Sequence, residues 1–283
     1  MIINKTSILE ELETSEQIKT MNDEKSTYYF IDTHAHLDMI KTMSPDEAVS
    51  QSLKENVKYI INVGSTLSGS KKSLEYAGRY ENVFATVGIH PHYAKDFNSD
   101  QELKLESLIG KKIVAIGETG FDFFRNLSPR LDQERAFTSQ IELAIKNNLP
   151  VVVHDRDAHE DTLRVLKKYV AGNEGFRAVV HCFSGDAAFA LKCIELGFYI
   201  SFTGVITFPN AGNAAAAAGV VPIERMFLET DAPFLAPQEK RGKENFPRYV
   251  KYIAAKLAEI KSLTIEEVAA ITSKNAEDFF KLR

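Results

Sequence analysis

The 283-residue sequence predicts an α/β protein that folds as a (β/α)8 barrel of the TIM type. Eight short apolar runs of strand length alternate with segments of helical periodicity along the chain. These runs are almost continuously apolar, which is typical of parallel strands that are covered on both faces. Polar residues able to bind metal ions come directly after several of the runs. A barrel gathers such positions on one face, and an open doubly wound sheet is the alternative architecture.

The first half of the chain contains four of the predicted strands. They span residues 28–31, 57–63, 83–87 and 113–117. Aromatic and β-branched residues dominate these runs, as expected for buried strands. A helix is predicted from Pro45, because Ser44 and Glu47 form a capping-box pattern around that proline. Further helical patterns cover residues 69–80 and 100–108.

The second half of the chain repeats the alternation. Its predicted strands span residues 150–154, 178–181, 198–202 and 226–229. Ser128 before Pro129 predicts the start of a long amphipathic helix that ends at Asn148. Thr264 and Glu267 form a second capping-box pattern, which predicts a terminal helix over residues 265–280. The other helical patterns span residues 157–169, 186–196, 211–219 and 246–260.

Two regions differ in composition. Residues 1–27 are polar and acidic, and their spaced Ile and Leu residues predict one amphipathic helix in an amino-terminal extension. No linker-like composition interrupts the remainder, so residues 28–283 are predicted to form a single (β/α)8 domain.

Composition limits the possible functions. A hydrophobic content of 44% and a charged content of 26% are typical of a globular protein with a sizeable core. The net charge of −5 argues against a protein that coats nucleic acid with a broad basic surface. Two cysteines are too few for a disulfide framework and fit a reducing compartment. No run predicts a membrane span or a secretory signal, so we expect a cytoplasmic protein that does not bind membranes.

The sequence YYFIDTHAHLD, residues 28–38, contains the first candidate site. Side chains alternate along a strand, so His34 and His36 point the same way where this strand ends. That arrangement suits two ligands of one metal ion. An isolated H-x-H pair, however, is more typical of surface histidines in a turn, so the rest of the chain has to decide.

Four more residues occupy equivalent positions after other predicted strands: Glu118, His154, His181 and Asp231. The carboxyl ends of barrel strands form the active-site face, so all six side chains are predicted to converge there. Six nitrogen and oxygen ligands exceed the need of one catalytic ion that keeps an open position. They suit two divalent ions, Mg²⁺, Mn²⁺ or Zn²⁺, with Glu118 as the bridging carboxylate.

The motifs around these residues carry a family resemblance. They are FIDTHAHLD, GIHPH, IGETGFDFF, PVVVHDRDA, VVHCFSG, FLETDAPFLAP and RGKENFPRYV. Together they resemble the TatD family of metal-dependent deoxyribonucleases, within the amidohydrolase-like barrels. The resemblance runs in collinear order over about residues 30–280 and excludes the amino-terminal extension.

The resemblance implies a metal-dependent hydrolase that cleaves phosphodiester bonds in DNA, as an exonuclease acting from single-stranded 3′ ends. It implies one ion on His34, His36, Glu118 and Asp231, and another on Glu118, His154 and His181. His90 of GIHPH resembles the family histidine that contacts the scissile phosphate. We expect the ions to activate a water for attack on phosphorus, with Asp231 as general base, so the predicted catalytic residues are Glu118, Asp231 and His90.

Other substrate contacts are less specific. Arg125, Arg156 and Lys243 are candidates for phosphate binding beside His90. His92 and His159 are interpreted as structural residues or as residues that support the metal ligands. The family loop RGKRNEP reads RGKENFP here, with Glu244 in place of an arginine. A carboxylate weakens the steering of an anionic polymer, so the sequence predicts that Glu244→Arg lowers the Michaelis constant for DNA.

Two alternatives from different classes stay open. The same ligands could serve a hydrolase of amide or ester bonds, such as an aminoacyl ester deacylase. The chain could also be a nucleic-acid-binding module whose ions only order the fold, but the charge and the absence of basic and aromatic repeats disfavour this. We expect a monomer with DNA as its substrate.

Overall fold

The strands form one parallel sheet that curves into a barrel. A computed structural model describes residues 28–282 and gives the hydrogen-bonded strand order β1 to β8, with every neighbouring pair parallel. The strands are β1 (Phe30–Ala35), β2 (Val57–Asn62), β3 (Val83–Val87), β4 (Ile113–Asp122), β5 (Val151–Arg156), β6 (Ala178–Val180), β7 (Tyr199–Phe202) and β8 (Met226–Leu228).

The barrel closes between β1 and the segment that follows β8. Ala35 pairs with Ala232 in a parallel bridge, and the backbone N–H of His36 donates to the carbonyl of Ala232 at 2.7 Å. The N–H of Asp231 donates to the carbonyl of His34 at 2.9 Å. The barrel prediction is therefore confirmed, and the open doubly wound alternative is wrong.

Nine α-helices alternate with the strands or follow them within residues 28–282. They are α1 (Pro45–Lys54), α2 (Leu67–Arg79), α3 (Ser99–Glu106), α4 (Arg130–Lys146), α5 (His159–Gly172), α6 (Ala187–Glu195), α7 (Gly212–Val220), α8 (Val250–Lys261) and α9 (Ile265–Phe280). Both predicted capping boxes form, at Ser44 before α1 and at Thr264 before α9. The helix predicted for residues 1–27 lies outside the described residues.

The capping residue predicted for helix α4 is wrong. Helix α4 begins at Arg130 with Pro129 as its N-cap and no side-chain cap, so Ser128 does not cap it. Instead the Ser128 hydroxyl donates to the carbonyl of His92 at 2.9 Å and accepts the N–H of Lys95 at 3.1 Å. The serine thus joins this loop to the one after β3 rather than satisfying a helix end.

Strand β4 is five residues longer than predicted. The sequence GETGFD lacks apolar alternation, but its backbone continues the sheet and pairs with β5 as far as Asp122. Gly120 permits this, because a Cβ at that position would lie 2.1 Å from the carbonyl oxygen of His154. Glu118 consequently lies inside β4 rather than after it.

An apolar cluster lies at the amino-terminal ends of the barrel strands. Phe84 and Phe227 are the second residues of β3 and β8, and they pack with Phe279 and Phe280 at the end of α9. The rings of Phe227 and Phe279 lie 5.2 Å apart. This helix end closes the bottom of the barrel, so the opposite end is the one open to solvent.

Within residues 28–282, no helix combines the length and the apolar composition needed to cross a membrane.

Candidate metal centre

The paired histidines of β1 face each other across a short gap. The Nε2 atoms of His34 and His36 lie 3.3 Å apart, and both side chains are buried. The Nδ1–H of His36 donates to the carbonyl of Val63, 3.1 Å away. That bond leaves the Nε2 lone pair of His36 free, which is how a metal-binding imidazole is commonly oriented.

Glu118 lies between two groups of donor atoms. Its Oε2 lies 3.5 Å from Nε2 of His34 and 3.9 Å from Nε2 of His36. Its Oε1 lies 2.8 Å from Nδ1 of His154 and 2.9 Å from Nε2 of His181. Each carboxylate oxygen therefore faces a different pair of histidines.

Asp231 completes the first group. Its Oδ1 lies 3.7 Å from Nε2 of His34 and 3.5 Å from Nε2 of His36. All six residues that the sequence placed at strand ends thus meet in one cluster at the carboxyl end of the barrel. Sequence reasoning found this set because every member follows or ends an apolar run.

The donor set fits divalent metal ions. Nitrogen and oxygen atoms that share one ion at about 2.1 Å lie roughly 3 to 3.5 Å apart. The donor atoms of this cluster lie 2.8–3.9 Å apart, close to that spacing. Ligand atoms of His34, His36 and Glu118 lie within 4.8 Å of one another, and so do those of His90, Glu118 and His154. Moreover, two imidazole nitrogens that face each other at 3.3 Å have lone pairs that a shared cation would satisfy.

The charges of the cluster favour ionised carboxylates. Burial opposes ionisation of Glu118, but the surrounding imidazoles outweigh it and hold its pKa well below the usual range. Burial also opposes ionisation of Asp231, and the neighbouring imidazoles of His36 and His34 outweigh it and lower the pKa. The two ionised carboxylates give the site negative charge that attracts cations.

His90 lies against the same carboxylate. Its Nδ1 accepts the backbone N–H of His92 at 3.0 Å, so the proton of the neutral ring is on Nε2. That Nε2 lies 3.3 Å from Oε1 of Glu118. Burial lowers the pKa of His90 to about 4, so the ring is neutral near pH 7 and its Nε2–H faces the Glu118 carboxylate.

Three acidic residues that support the cluster were missed by sequence reasoning. The Oδ2 of Asp122 accepts Nε2–H bonds from His154 at 3.2 Å and from His92 at 2.9 Å. Glu229 accepts the N–H of Cys182 at 2.6 Å, and Asp32 accepts the N–H of Thr230 at 2.8 Å. Asp122 holds the His154 ring so that its Nδ1 faces Glu118.

A sequence signal for Asp122 did exist. Glu118 and Asp122 are four residues apart, so the alternation of a strand places both on one face. The two glycines of GETGFD concealed that strand. Glu229 stands beside Thr230 and Asp231 in LETDAP, where the motif drew attention to the aspartate alone.

The cluster forms the floor of a cavity of about 750 Å³. Arg125 and Arg156, the two arginine candidates for phosphate contact, line this cavity. Lys243 is not among the lining residues, so the structure does not bring this predicted contact to the site. His92 lines the wall, whereas His159 lies farther out, with its Nδ1 2.5 Å from Oδ1 of Asp155.

Comparison with known proteins agrees with this geometry. Residues 31–281 match the family described as TatD related DNase. The chain belongs to the TatD-related DNase family. The family predicted from the sequence motifs is therefore confirmed, over all of the barrel.

Relatives in this family cover nearly the whole domain. The chain is 38% identical over 253 residues to the uncharacterized metal-dependent hydrolase YabD of Bacillus subtilis, covering 89% of this chain and 98% of YabD. It is 35% identical over 241 residues to the 3′-5′ ssDNA/RNA exonuclease TatD of Cronobacter sakazakii, covering 83% and 91% of the two chains.

A solved structure from the family has the same fold. The crystal structure of YjjV, a TatD homologue from Escherichia coli, superimposes with a TM-score of 0.83 at 28% identity. The match covers 89% of this chain and 98% of YjjV. The (β/α)8 architecture of the TatD-related chain is thus shared with a relative across the entire barrel.

Proposed function

We propose that this TatD-related protein is a two-metal nuclease that hydrolyses phosphodiester bonds in DNA, as a 3′-5′ exonuclease acting on single-stranded ends. One observation carries the two-ion part of this proposal. The two oxygens of Glu118 face different histidine pairs. Its Oε2 faces His34 and His36, and its Oε1 faces His154 and His181. A carboxylate placed in this way is suited to bridge two ions.

The ligand assignment follows from these contacts. His34, His36, Glu118 and Asp231 would hold one divalent ion, and Glu118, His154 and His181 the other. Such ions, when bound, activate a water molecule at neutral pH and stabilise the charge that develops on a phosphate. The mixture of imidazole and carboxylate ligands suits Mg²⁺, Mn²⁺ and Zn²⁺.

The chain's own residues supply proton transfer and orientation. Asp231 is ionised, because its pKa is lowered against the effect of burial, so its carboxylate can accept a proton from the attacking water. The neutral His90 presents Nε2–H to the same space, where it can donate to a non-bridging phosphate oxygen. His90 would thus fix the phosphate without adding another charge to the site.

Two arginines extend the site toward the remainder of the substrate. The guanidinium groups of Arg125 and Arg156 line the cavity, and both residues are exposed. Within residues 28–282, the arginines that form ion pairs with carboxylates are Arg79, Arg135 and Arg164, so neither cavity arginine is engaged in one. Both cations are therefore available to the phosphates of a bound strand.

Metal and substrate titrations test this function together. The purified protein is stripped with a chelator, reloaded with Mg²⁺, Mn²⁺ or Zn²⁺, and given 5′-labelled single-stranded DNA, blunt duplex DNA, RNA and an aminoacyl ester. We expect stepwise shortening of single-stranded DNA from its 3′ end, abolished by the chelator. Hydrolysis of the ester with intact DNA would instead support the deacylase alternative.

The number of ions is measured separately. The wild-type protein should bind two ions at saturation, and His34→Ala and His154→Ala should each retain about one, because each histidine serves one of the two donor groups. A stoichiometry of one ion in the wild-type protein would contradict the two-metal assignment, while leaving a one-metal nuclease possible.

A further inference from the structure

The aromatic rings exposed to solvent are concentrated around the candidate metal centre. Within residues 28–282, three Phe and Tyr side chains are exposed: Tyr93 by 49%, Phe124 by 56% and Phe234 by 51%. All three line the cavity above the metal ligands. The large aliphatic side chains that are equally exposed, such as Leu131 at 82% and Leu103, lie outside that lining.

The three rings come from different loops at the carboxyl end of the barrel. Tyr93 lies in the short helix Pro91–Asp96 after β3, Phe124 follows β4, and Phe234 follows β8. Strands β3 and β4 are neighbours, whereas β8 pairs with β7 and is adjacent to neither. The rings therefore flank the cavity on two sides. Phe234 lies beside a predicted ligand, with its centroid 6.1 Å from that of the His36 ring.

Phe124 also lies beside two cations. The guanidinium of Arg156 lies 4.4 Å from the centroid of the Phe124 ring, and that of Arg125 lies 5.8 Å from it. An exposed ring beside two cations combines the two features that bind single strands, a π-face for a base and positive charge for the backbone.

We propose that Tyr93, Phe124 and Phe234 are stacking residues that bind unpaired nucleobases of the strand whose phosphodiester is cleaved. This inference rests on the proposed nuclease function, and stacking on these rings would give that nuclease its preference for single strands over duplexes. A ring that is half exposed gains apolar burial when a base covers it. Bases inside a duplex already stack on their neighbours, so only an unpaired end offers free base faces to the rings.

The arrangement also separates two kinds of contact. The arginines attract any polyanion, including duplex DNA, because charge does not distinguish paired from unpaired strands. The rings recognise the bases themselves, with little dependence on sequence, because every base has a π-face. Loss of a ring should therefore weaken the binding of a normal single strand more than that of the same strand without bases.

Fluorescence provides a direct binding test, because the natural chain contains no tryptophan. Phe124→Trp and Phe234→Trp each introduce a single fluorophore at the cavity, and Leu131→Trp introduces one on the surface outside it. The metal-loaded variants are titrated with a single-stranded oligonucleotide whose 3′ phosphorothioate linkages slow hydrolysis, and with an abasic strand of equal length.

We expect the normal strand to quench the Phe124→Trp and Phe234→Trp variants, and the abasic strand to quench them far less. The Leu131→Trp variant should respond to neither. Equal quenching by both strands, or none by the normal strand, would overturn the stacking proposal. This measurement does not depend on turnover, so it stays informative if the protein hydrolyses no DNA at all.

Kinetics provides the second test. Phe124→Ala and Phe234→Ala should each raise the Michaelis constant for single-stranded DNA by about tenfold, the loss expected for one stacked base. Phe124→Tyr should retain the wild-type value, and Leu131→Ala serves as the exposed apolar control. On a substrate with abasic 3′ nucleotides, the alanine variants and the wild-type protein should be alike.

The outcomes separate the two proposals. A wild-type protein that cleaves DNA, with alanine variants that lose equally on both substrates, would refute stacking and leave the nuclease function intact. A wild-type protein that cleaves no DNA while the normal strand still quenches selectively would refute the nuclease function and leave base stacking supported.

Discussion

The two ends of the barrel use the same strands for opposite purposes. At the amino-terminal end, Val152 of β5 and Val179 of β6 belong to the apolar cluster that the end of α9 closes. Two residues farther along the chain from each valine, His154 and His181 face Glu118 at the carboxyl end. Both ends are buried, so burial alone does not distinguish them. The difference teaches that position along a strand decides whether a buried residue serves stability or chemistry.

The largest effect that this comparison predicts belongs to Glu118→Gln. The substitution keeps the size of the side chain but removes the charge that both donor groups share. Because a bound ion contributes several kcal/mol to the stabilisation of the transition state, we expect turnover to fall by about 10³-fold or more. Turnover is measured on single-stranded DNA at saturating metal.

Stability should not follow activity in that variant. The melting temperature of metal-free Glu118→Gln should lie within a few degrees of the wild-type value, because the apolar core is unchanged. A variant that turns over DNA at nearly the wild-type rate would mean that the carboxyl end is not organised around this residue.

The opposite end gives the complementary prediction. Phe279 is buried against Phe227 and Tyr199, with ring centroids 5.2 and 4.9 Å away. Phe279→Ala should lower the free energy of unfolding by about 3–5 kcal/mol, as other buried Phe truncations do. The turnover number per folded molecule should stay at the wild-type value, since no contact of Phe279 reaches the metal centre.

Urea unfolding and active-site titration measure the two quantities together. If Phe279→Ala does not fold, Phe279→Leu provides a smaller truncation at the same site with the same expected direction. A turnover number that falls in proportion to stability would show that the two ends are coupled, and the comparison would then fail.

The sequence was sufficient for the architecture and for the cluster of histidines and carboxylates at the carboxyl end. Eight apolar runs predicted the strands, and the predicted metal ligands could be found because each is a polar residue beside such a run. The sequence did not reveal side chains whose place in the site depends on where a strand ends. Asp122 became visible only when β4 proved to continue past Gly120, where backbone pairing rather than apolar alternation maintains the strand.

The role of Asp122 gives the third prediction. Its Oδ2 accepts hydrogen bonds from both His92 and His154, whereas an asparagine could offer an NH₂ group or one oxygen there, and not a full charge. Asp122→Asn should therefore lower turnover by about 10- to 100-fold through misorientation of His154, as loss of an orienting carboxylate does.

A matched control separates orientation from charge. Asp157→Asn removes a carboxylate from the lining of the same cavity, and its positive φ of 56° is one that asparagine tolerates. This variant should keep nearly all activity. Metal analysis should show weakened binding of one ion in Asp122→Asn, and unaltered binding of both would indicate that Asp122 does not act through His154.

The smallest predicted effect concerns Glu244, which lies at the carboxyl end but is not engaged in chemistry. Its carboxylate accepts the backbone N–H groups of Lys41 and Thr42, each at 2.8 Å, and also the Thr42 hydroxyl. It therefore anchors the loop after β1 to the loop after β8. The sequence-based expectation that Glu244→Arg improves DNA binding omitted this anchoring role.

An arginine at this position has only donors, so it leaves both backbone N–H groups without their acceptor. We therefore expect Glu244→Arg to lower the free energy of unfolding by about 1 kcal/mol. The Michaelis constant for single-stranded DNA should not fall, because the gain in positive charge is offset by a loosened loop at the cavity rim. Lys243→Ala is the control, since its exposed side chain lies outside the cavity lining. A lower Michaelis constant with unchanged stability would contradict this anchoring role. It would show that the loop contacts the substrate backbone directly, and that Glu244 belongs to the substrate-binding part of the carboxyl end.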